Sequence, residues 1–403
     1  MLFRRFPYIY ILLIFVLVFA NAHAQQSRNE ELSLKQQEKA KSLAPYKASR
    51  AEGLVINIQK WGLLSGMGTK GLYPFFGSAF SGGGFALGAG FRHGIGDTGL
   101  FDVHGAYSIA GYKLFDTSFR LPEVGAGRIK TSVHGKYQNA DEVAFYGIGN
   151  DTSKDDKTAF TYIPKLVSLT ESVWVSNEFH IGGSVAYLDI DSKPGNSAIY
   201  PSIEEEFTPA EVAGLGTDPQ YVTGNLFAEF DWRQSPGWTS KGGFYRVDWY
   251  NYEDQDQGDF SFRRWDVQVV QHFPILRGNQ ILAFRGLASF TDISDLQQVP
   301  HFLLPKLGGG SELRGFGDFR FQDRHRMLLT AEYRWTPSKF MDMIIFYETG
   351  KVAADTSDLN FNDLHNCYGI GARFHTPAFT AFRVELAHSV EGTRLILSGG
   401  AAF

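Results

Sequence analysis

The chain has one cysteine, Cys367, so no intrachain disulfide can form and no cysteine-rich metal site exists. It has no excess of positive charge: 38 Lys and Arg stand against 43 Asp and Glu, a formal net charge of −5. That argues against a nucleic-acid partner. It lacks H-E-x-x-H and G-x-S-x-G, and its eleven histidines are scattered, so no metal site and no catalytic constellation is expected. "GGGFALGAG" at 82–90 lacks the Lys and Ser/Thr that would make it a phosphate loop. The acidic stretches "TSKDD" at 152–156 and "SIEEEF" at 202–207 read as solvated loop charge. No cofactor is implied. Beyond the N-terminus, no apolar run approaches the length that a helix needs to span a bilayer, about 20 residues.

The N-terminus is the exception. Arg4 and Arg5 precede an apolar run from Ile9 to Ala20, followed by "AHA" at 22–24. This is the pattern of a secretory signal peptide, 1–24, with cleavage expected near Ala24. Residues 25–52 are a polar lead, expected in the periplasm and too short for an independent domain. The rest, 53–403, is rich in glycine (44) and aromatics (15 %), with only moderate hydrophobicity (43 %). An exported chain with hidden hydrophobicity fits a membrane β-barrel, in which every second residue meets lipid.

Alternation supports this. In "MLLTAEYRW", Met327, Leu329, Ala331, Tyr333 and Trp335 oppose Thr330, Glu332 and Arg334. In "AFRVELA", Phe382, Val384 and Leu386 oppose Arg383 and Glu385. "FYRVDWY" at 244–250 and "RWDVQVV" at 264–270 behave alike. The fold class expected is all-β: a transmembrane antiparallel barrel of sixteen strands. The first strand is placed at 53–62 and the last at 393–403, with a turn at "ES" (171–172). Long connections, at 63–82, 139–157, 191–219, 292–325 and 353–365, all fall on one side and short turns on the other. Outer-membrane barrels have this asymmetry.

The connection at 292–325 contains "GGGSELRGFGDFRF". Its "ELRGFGDFRF" resembles the [VI]RGF motif of the BamA/TamA family, also called the bacterial surface antigen family. "AEYRW" at 331–335 and "FYETG" at 346–350 are similar to that family's strand motifs. So are "YGIGARFHTPAFTAFRVELAHS" and the terminal "LILSGGAAF", and "FYGIGN" at 145–150 is also similar. Leu313 replaces the usual Val or Ile, and Glu348 the usual Asp. The resemblance implies that the loop folds into the lumen through Leu313, Arg314, Gly315 and Phe316. It also implies docking on Glu332, Phe346, Glu348 and Gly350. Alternation independently turns Glu332, Phe346 and Glu348 inward.

Further expectations follow from the resemblance. Phe403 would be a C-terminal aromatic read by the barrel assembly machinery during biogenesis. The partners would be outer-membrane lipids and a separate periplasmic protein, because the lead cannot hold the family's POTRA docking domains. The implied function is insertion or translocation of a protein or lipid at the outer membrane. A passive pore is the alternative, and an outer-membrane hydrolase a weaker one.

Overall fold

The computed structural model describes residues 70–403, except 236–237, 276–277, 339, 376–379 and 401. The described residues belong to one compact unit, Asn57–Phe403. The expected signal peptide, the lead and the strand at 53–62 lie outside the described residues.

Sixteen antiparallel strands form one sheet in chain order, a nearly closed barrel. They are β1 (Gly71–Gly77), β2 (Ala86–Ile95), β3 (Gly99–Ser108), β4 (Lys113–Arg120), β5 (Ile129–Phe145) and β6 (Thr158–Trp174). Then come β7 (Phe179–Pro194), β8 (Gln220–Asp231), β9 (Gly242–Asp254), β10 (Phe262–Ile275) and β11 (Gln280–Asp292). The wall ends with β14 (His325–Ser338), β15 (Met341–Ala353), β16 (His365–His375), β17 (Thr380–Ser389) and β18 (Gly392–Ser398). Between β11 and β14, β12 (Lys306–Leu307) and β13 (Phe321–Gln322) pair as a separate two-strand ribbon. No helix among the described residues is long and apolar enough to cross a membrane.

Burial along the strands is inverted relative to a soluble sandwich. On β15, Met343, Ile345 and Tyr347 are exposed while Asp342, Phe346 and Glu348 are buried. On β17, Phe382 and Leu386 are exposed while Arg383 and Glu385 are buried. Apolar residues outside and charges inside are stable only if the outside is hydrocarbon. The strand ladder pairs the backbone polar groups of neighbouring strands there, which lipid cannot do.

Several strand bounds differ from the sequence reading, including β5, which runs on to Phe145 inside the connection expected at 139–157. Residues 71–77, "GLYPFFG", were expected within an outer loop but form β1. Its glycines and Pro74 read as loop signals. A proline is tolerated because β1 pairs only with β2 among the described strands, and an edge strand can spare a ladder donor. The β6–β7 turn lies at 175–178, not at "ES". Ser176 Oγ there accepts hydrogen bonds from the backbone N–H of Glu178 (3.2 Å) and Phe179 (3.1 Å). That side-chain turn outcompetes Glu171, which stays in the strand, where the Thr131 hydroxyl donates to it.

The long connections gather at one end, as expected, and fold over the barrel mouth. Val212 and Leu215 from 195–219, and Val299, Phe302 and Leu304 from 293–305, pack on inward residues of the strands such as Phe145, Phe160, Ile190 and Tyr221. The two loops are joined at Ala213, whose carbonyl accepts from the His301 backbone N–H (3.0 Å) and lies 3.2 Å from its Nδ1. "SIEEEF" contributes a helical turn, Ile203–Glu206, whose Ile203 is buried in this dome. "FYGIGN" laces the mouth from the far wall. The Asn150 side chain donates to Asp363 O (2.9 Å) and accepts from Val352 N–H (3.2 Å), and Gly149 N–H donates to Gln322 O (2.9 Å).

Two outcomes test this arrangement. Cysteines at Ile199 and Ser357 should react with an impermeant maleimide on intact cells, and one at Asn177 should not. Buried Cys367 leaves a silent background. The reverse labelling pattern would invert the topology. The second concerns His301, which has no solvent exposure and packs among the rings of Phe145, Phe160 and Phe302. Burial, reinforced by the Lys306 ammonium, pushes its pKa down to about 3. A depressed imidazole pKa favours the neutral form, so its contribution falls as pH drops below the unfolded value of about 6.5. Protease cleavage within 293–305 should therefore rise between pH 7.5 and pH 5, and His301→Phe should flatten that rise.

Candidate functional site: a loop pinned inside the barrel

The inward faces of β14 to β17 form a grid. Glu332 pairs across with Phe346, Phe346 with Gly369, and Gly371 with Glu385. One level along, Thr330 pairs with Glu348 and Glu348 with Cys367. The glycines are required by close packing. A Cβ on Gly369 would stand 2.3 Å from the Phe346 ring, and one on Gly371 2.7 Å from Glu385 Cγ. The ring and the carboxylate stem therefore lie flat on the neighbouring strand.

The loop 293–324 descends onto this grid. Arg314 and the three carboxylates it meets, Glu332, Glu348 and Glu385, have no solvent exposure. Arg314 Nη2 donates to Glu332 Oε1 and Nη1 to Glu385 Oε2, both at 2.9 Å. Its Nε lies 3.1 Å from Glu348 Oε1, and its backbone N–H donates to Glu348 Oε2 at 2.7 Å. The guanidinium stacks over the Phe346 ring, 3.5 Å from its centroid. The planar fork thus meets three acids on three strands, which an ammonium could not match.

The other motif residues lock beside it. Leu313 adopts φ 49°, in the left-handed region, and its Cδ1 would be 3.1 Å from a Cβ on Gly350. Leu313 and Phe316 join Leu307, Phe321, Leu328 and Val352 in a second apolar cluster. Gly315 leaves no space for a side chain: a Cβ would stand 2.6 Å from that of Cys367 and 2.9 Å from that of Ser389. Ser389 Oγ donates to Gly315 O at 2.8 Å. Of the loop motif, Arg314 meets Glu332, Phe346 and Glu348 and Leu313 lies beside Gly350, while Gly315 packs on Cys367 and Ser389 and Phe316 on Phe321 and His365.

Several residues of the site were not singled out from the sequence. Glu385 is the third carboxylate. Arg373 bridges Glu332 (2.7 Å) and Glu385 (3.0 Å), Arg334 donates to Glu332 (2.9 Å), and Arg383 to Glu385 (2.8 Å). Arg383 also holds Gly310 O (2.6 Å), Arg285 holds Ser311 O (3.0 Å), and Arg326 holds Lys306 O and Glu312 (both 2.6 Å). The alternation that turned Glu332 inward also turned Arg334, Arg383 and Glu385 inward, so that signal was present.

The last strand is shorter than the expected 393–403. β18 ends at Ser398, not at residue 403. The chain leaves the ladder at Gly399 and Gly400, the latter with φ 77° and its N–H bonded to Thr380 O. The Phe403 ring then faces inward, 5.0 Å from the Arg334 guanidinium and 5.7 Å from that of Arg285. There it makes cation–π contact with two inward arginines. Among the described residues, no group of three or more His, Cys, Asp or Glu is placed to hold a metal ion.

The barrel is similar to BamA from Haemophilus ducreyi lacking POTRA domains 1–3. The TM-score is 0.59 at 12 % identity, over 81 % of this chain and 68 % of that one. It is also similar to CdiB from Escherichia coli, with a TM-score of 0.56 at 10 % identity over 82 % of this chain and 62 % of CdiB. The chain thus spans about two thirds of the one and less of the other. At these identities the likeness is one of fold, and the fold is that of outer-membrane proteins. No family model matches the chain, and no curated protein matches it.

The geometry sets the expected behaviour of variants. Arg314→Ala leaves Glu348 without its guanidinium, while Arg334, Arg373 and Arg383 still hold Glu332 and Glu385; breaking a buried pair costs about 3–5 kcal/mol. The strand ladder does not depend on the loop, so the folded barrel should persist on unboiled gels while 293–324 becomes protease-sensitive. Arg314→Lys should recover only part of the protection. Gly315→Ala should loosen the same loop by overpacking, at ~1–3 kcal/mol. Equal protection in wild type and all three variants would reduce Arg314 to a passive loop charge.

Proposed function

We propose that the protein is an outer-membrane barrel that assists insertion or translocation of a protein or lipid. The observation that carries this reading is a filled interior combined with first and last strands that do not pair with each other among the described residues. The loop 293–324 and the dome occupy the inside of the barrel. Meanwhile no pairing among the described residues joins β1 to β18. Such a molecule is poorly suited to passive diffusion through its centre. It offers instead two strand edges, which can add an incoming strand through main-chain hydrogen bonds. The BamA-like fold and the "LRGF" motif support the same reading. A client or lipid is then handled along the wall, with a separate periplasmic partner delivering it and the barrel assembly machinery inserting this chain itself. Export through a signal peptide cleaved near Ala24 belongs to the same proposal. No enzymatic step is required.

Proteoliposomes test it. Vesicles bearing the protein should accelerate the folding of a urea-unfolded outer-membrane barrel beyond empty vesicles, and Arg314→Ala should abolish the gain. Planar bilayers should show only small, intermittent conductance. A large steady conductance together with folding rates equal to empty vesicles would establish the passive pore instead.

A further inference from the structure

A cavity of about 410 Å³ opens at the long-loop end, apart from the Arg314 grid. Four parts of the chain build it: the β5–β6 connection, Tyr200 of the β7–β8 connection, the β17–β18 hairpin and the loop 293–324. Its floor is the backbone at Gly315 and Gly317. Gly317 carries the Tyr146 hydroxyl directly above it, since a Cβ there would stand 2.9 Å from that oxygen.

The walls carry three cations and two acids. Glu391 is already held by Arg320 at 2.7 Å. Arg394 spends Nη2 on Asp318 at 3.3 Å, while its buried Nη1 has no partner. Lys154 and Lys157 have no carboxylate within ion-pair distance among the described residues. Lys157 instead rests over the Tyr200 ring, 3.8 Å from its centroid. The cavity therefore presents two lysines and the Asp155 carboxylate without ion-pair partners among the described residues, an unused guanidinium donor, and two tyrosines.

We infer that this cavity binds a phosphorylated sugar, either free or carried as a lipid headgroup at the outer face of the membrane. The cations match a phosphate, and arginine and lysine are the side chains suited to it. Tyrosine supplies an apolar ring face with a hydroxyl at its tip, which suits a pyranose. The volume falls within the range of small-molecule sites, about 300–1,000 Å³, with room for one substituted sugar. The site stands independently of the proposed insertion role and can fail without it.

The test uses the full chain in an amine-oxide detergent, which brings no sugar of its own. Glucose 6-phosphate should bind at least about tenfold more tightly than glucose or inorganic phosphate, a difference of 1.4 kcal/mol. Lys157→Gln and Arg394→Gln should each weaken it by about tenfold, and Tyr200→Leu should reduce the preference over inorganic phosphate. Unchanged unboiled-gel mobility would show that the variants still fold. Displacement of the probe by lipopolysaccharide vesicles would assign the ligand to the membrane, and a probe still bound in their presence would assign it to the medium. Equal affinity for inorganic phosphate and the sugar phosphate would overturn the sugar assignment. No binding, or binding unaffected by all three substitutions, would overturn the site.

Discussion

A guanidinium with no exposure to water needs nearly all of its hydration replaced, and Arg314 obtains that replacement only where four strands converge. Glu332, Glu348 and Glu385 come from β14, β15 and β17, and β16 contributes glycines that let their side chains lie flat. The pin therefore exists only when this part of the wall is in register. A slip of one residue on any of these strands would turn its carboxylate toward lipid. The loop position and the wall register are two readings of one constraint. The surplus is also informative. Arg314, Arg334, Arg373 and Arg383 surround three glutamates, so the grid carries more cations than acids. Two buried arginines, Arg383 and Arg285, also donate to loop carbonyls, at Gly310 and Ser311. Excess charge in the wall thus becomes a grip on the loop backbone.

What could be read in advance follows the range of the physics involved. Period-two alternation is local, so the inward placement of Glu332, Phe346 and Glu348, the strand number and the loop asymmetry were legible. The number of acids on Arg314 was not. Glu385 is 71 residues away, and only the barrel's register brings it within 2.9 Å. Boundary errors came from competing local signals. Pro74 and its glycines look like a loop until an edge strand makes them tolerable. Ser176 makes a turn that Glu171 and Ser172 only imitate. The dome was illegible because Val212, Leu215, Phe302 and Leu304 have no period. Their burial is set by partners on strands far along the chain.

The two apolar clusters explain why the loop needs an electrostatic pin at all. The dome cluster joins 293–305 to 195–219 and to the strand ends, and buries mainly aliphatic and aromatic surface. Such contact is non-directional and can rearrange at modest cost. The second cluster, around Leu313 and Phe316, sits directly beside the Arg314 grid. There the hydrogen-bond geometry of three carboxylates fixes one position for the motif, and the packing around Gly315 and Gly350 admits no other. One loop therefore has an adaptable upper half and a rigid lower half. Glu385 and Arg383 lie on β17, next to the last strand β18, so the motif is fixed directly to that part of the wall.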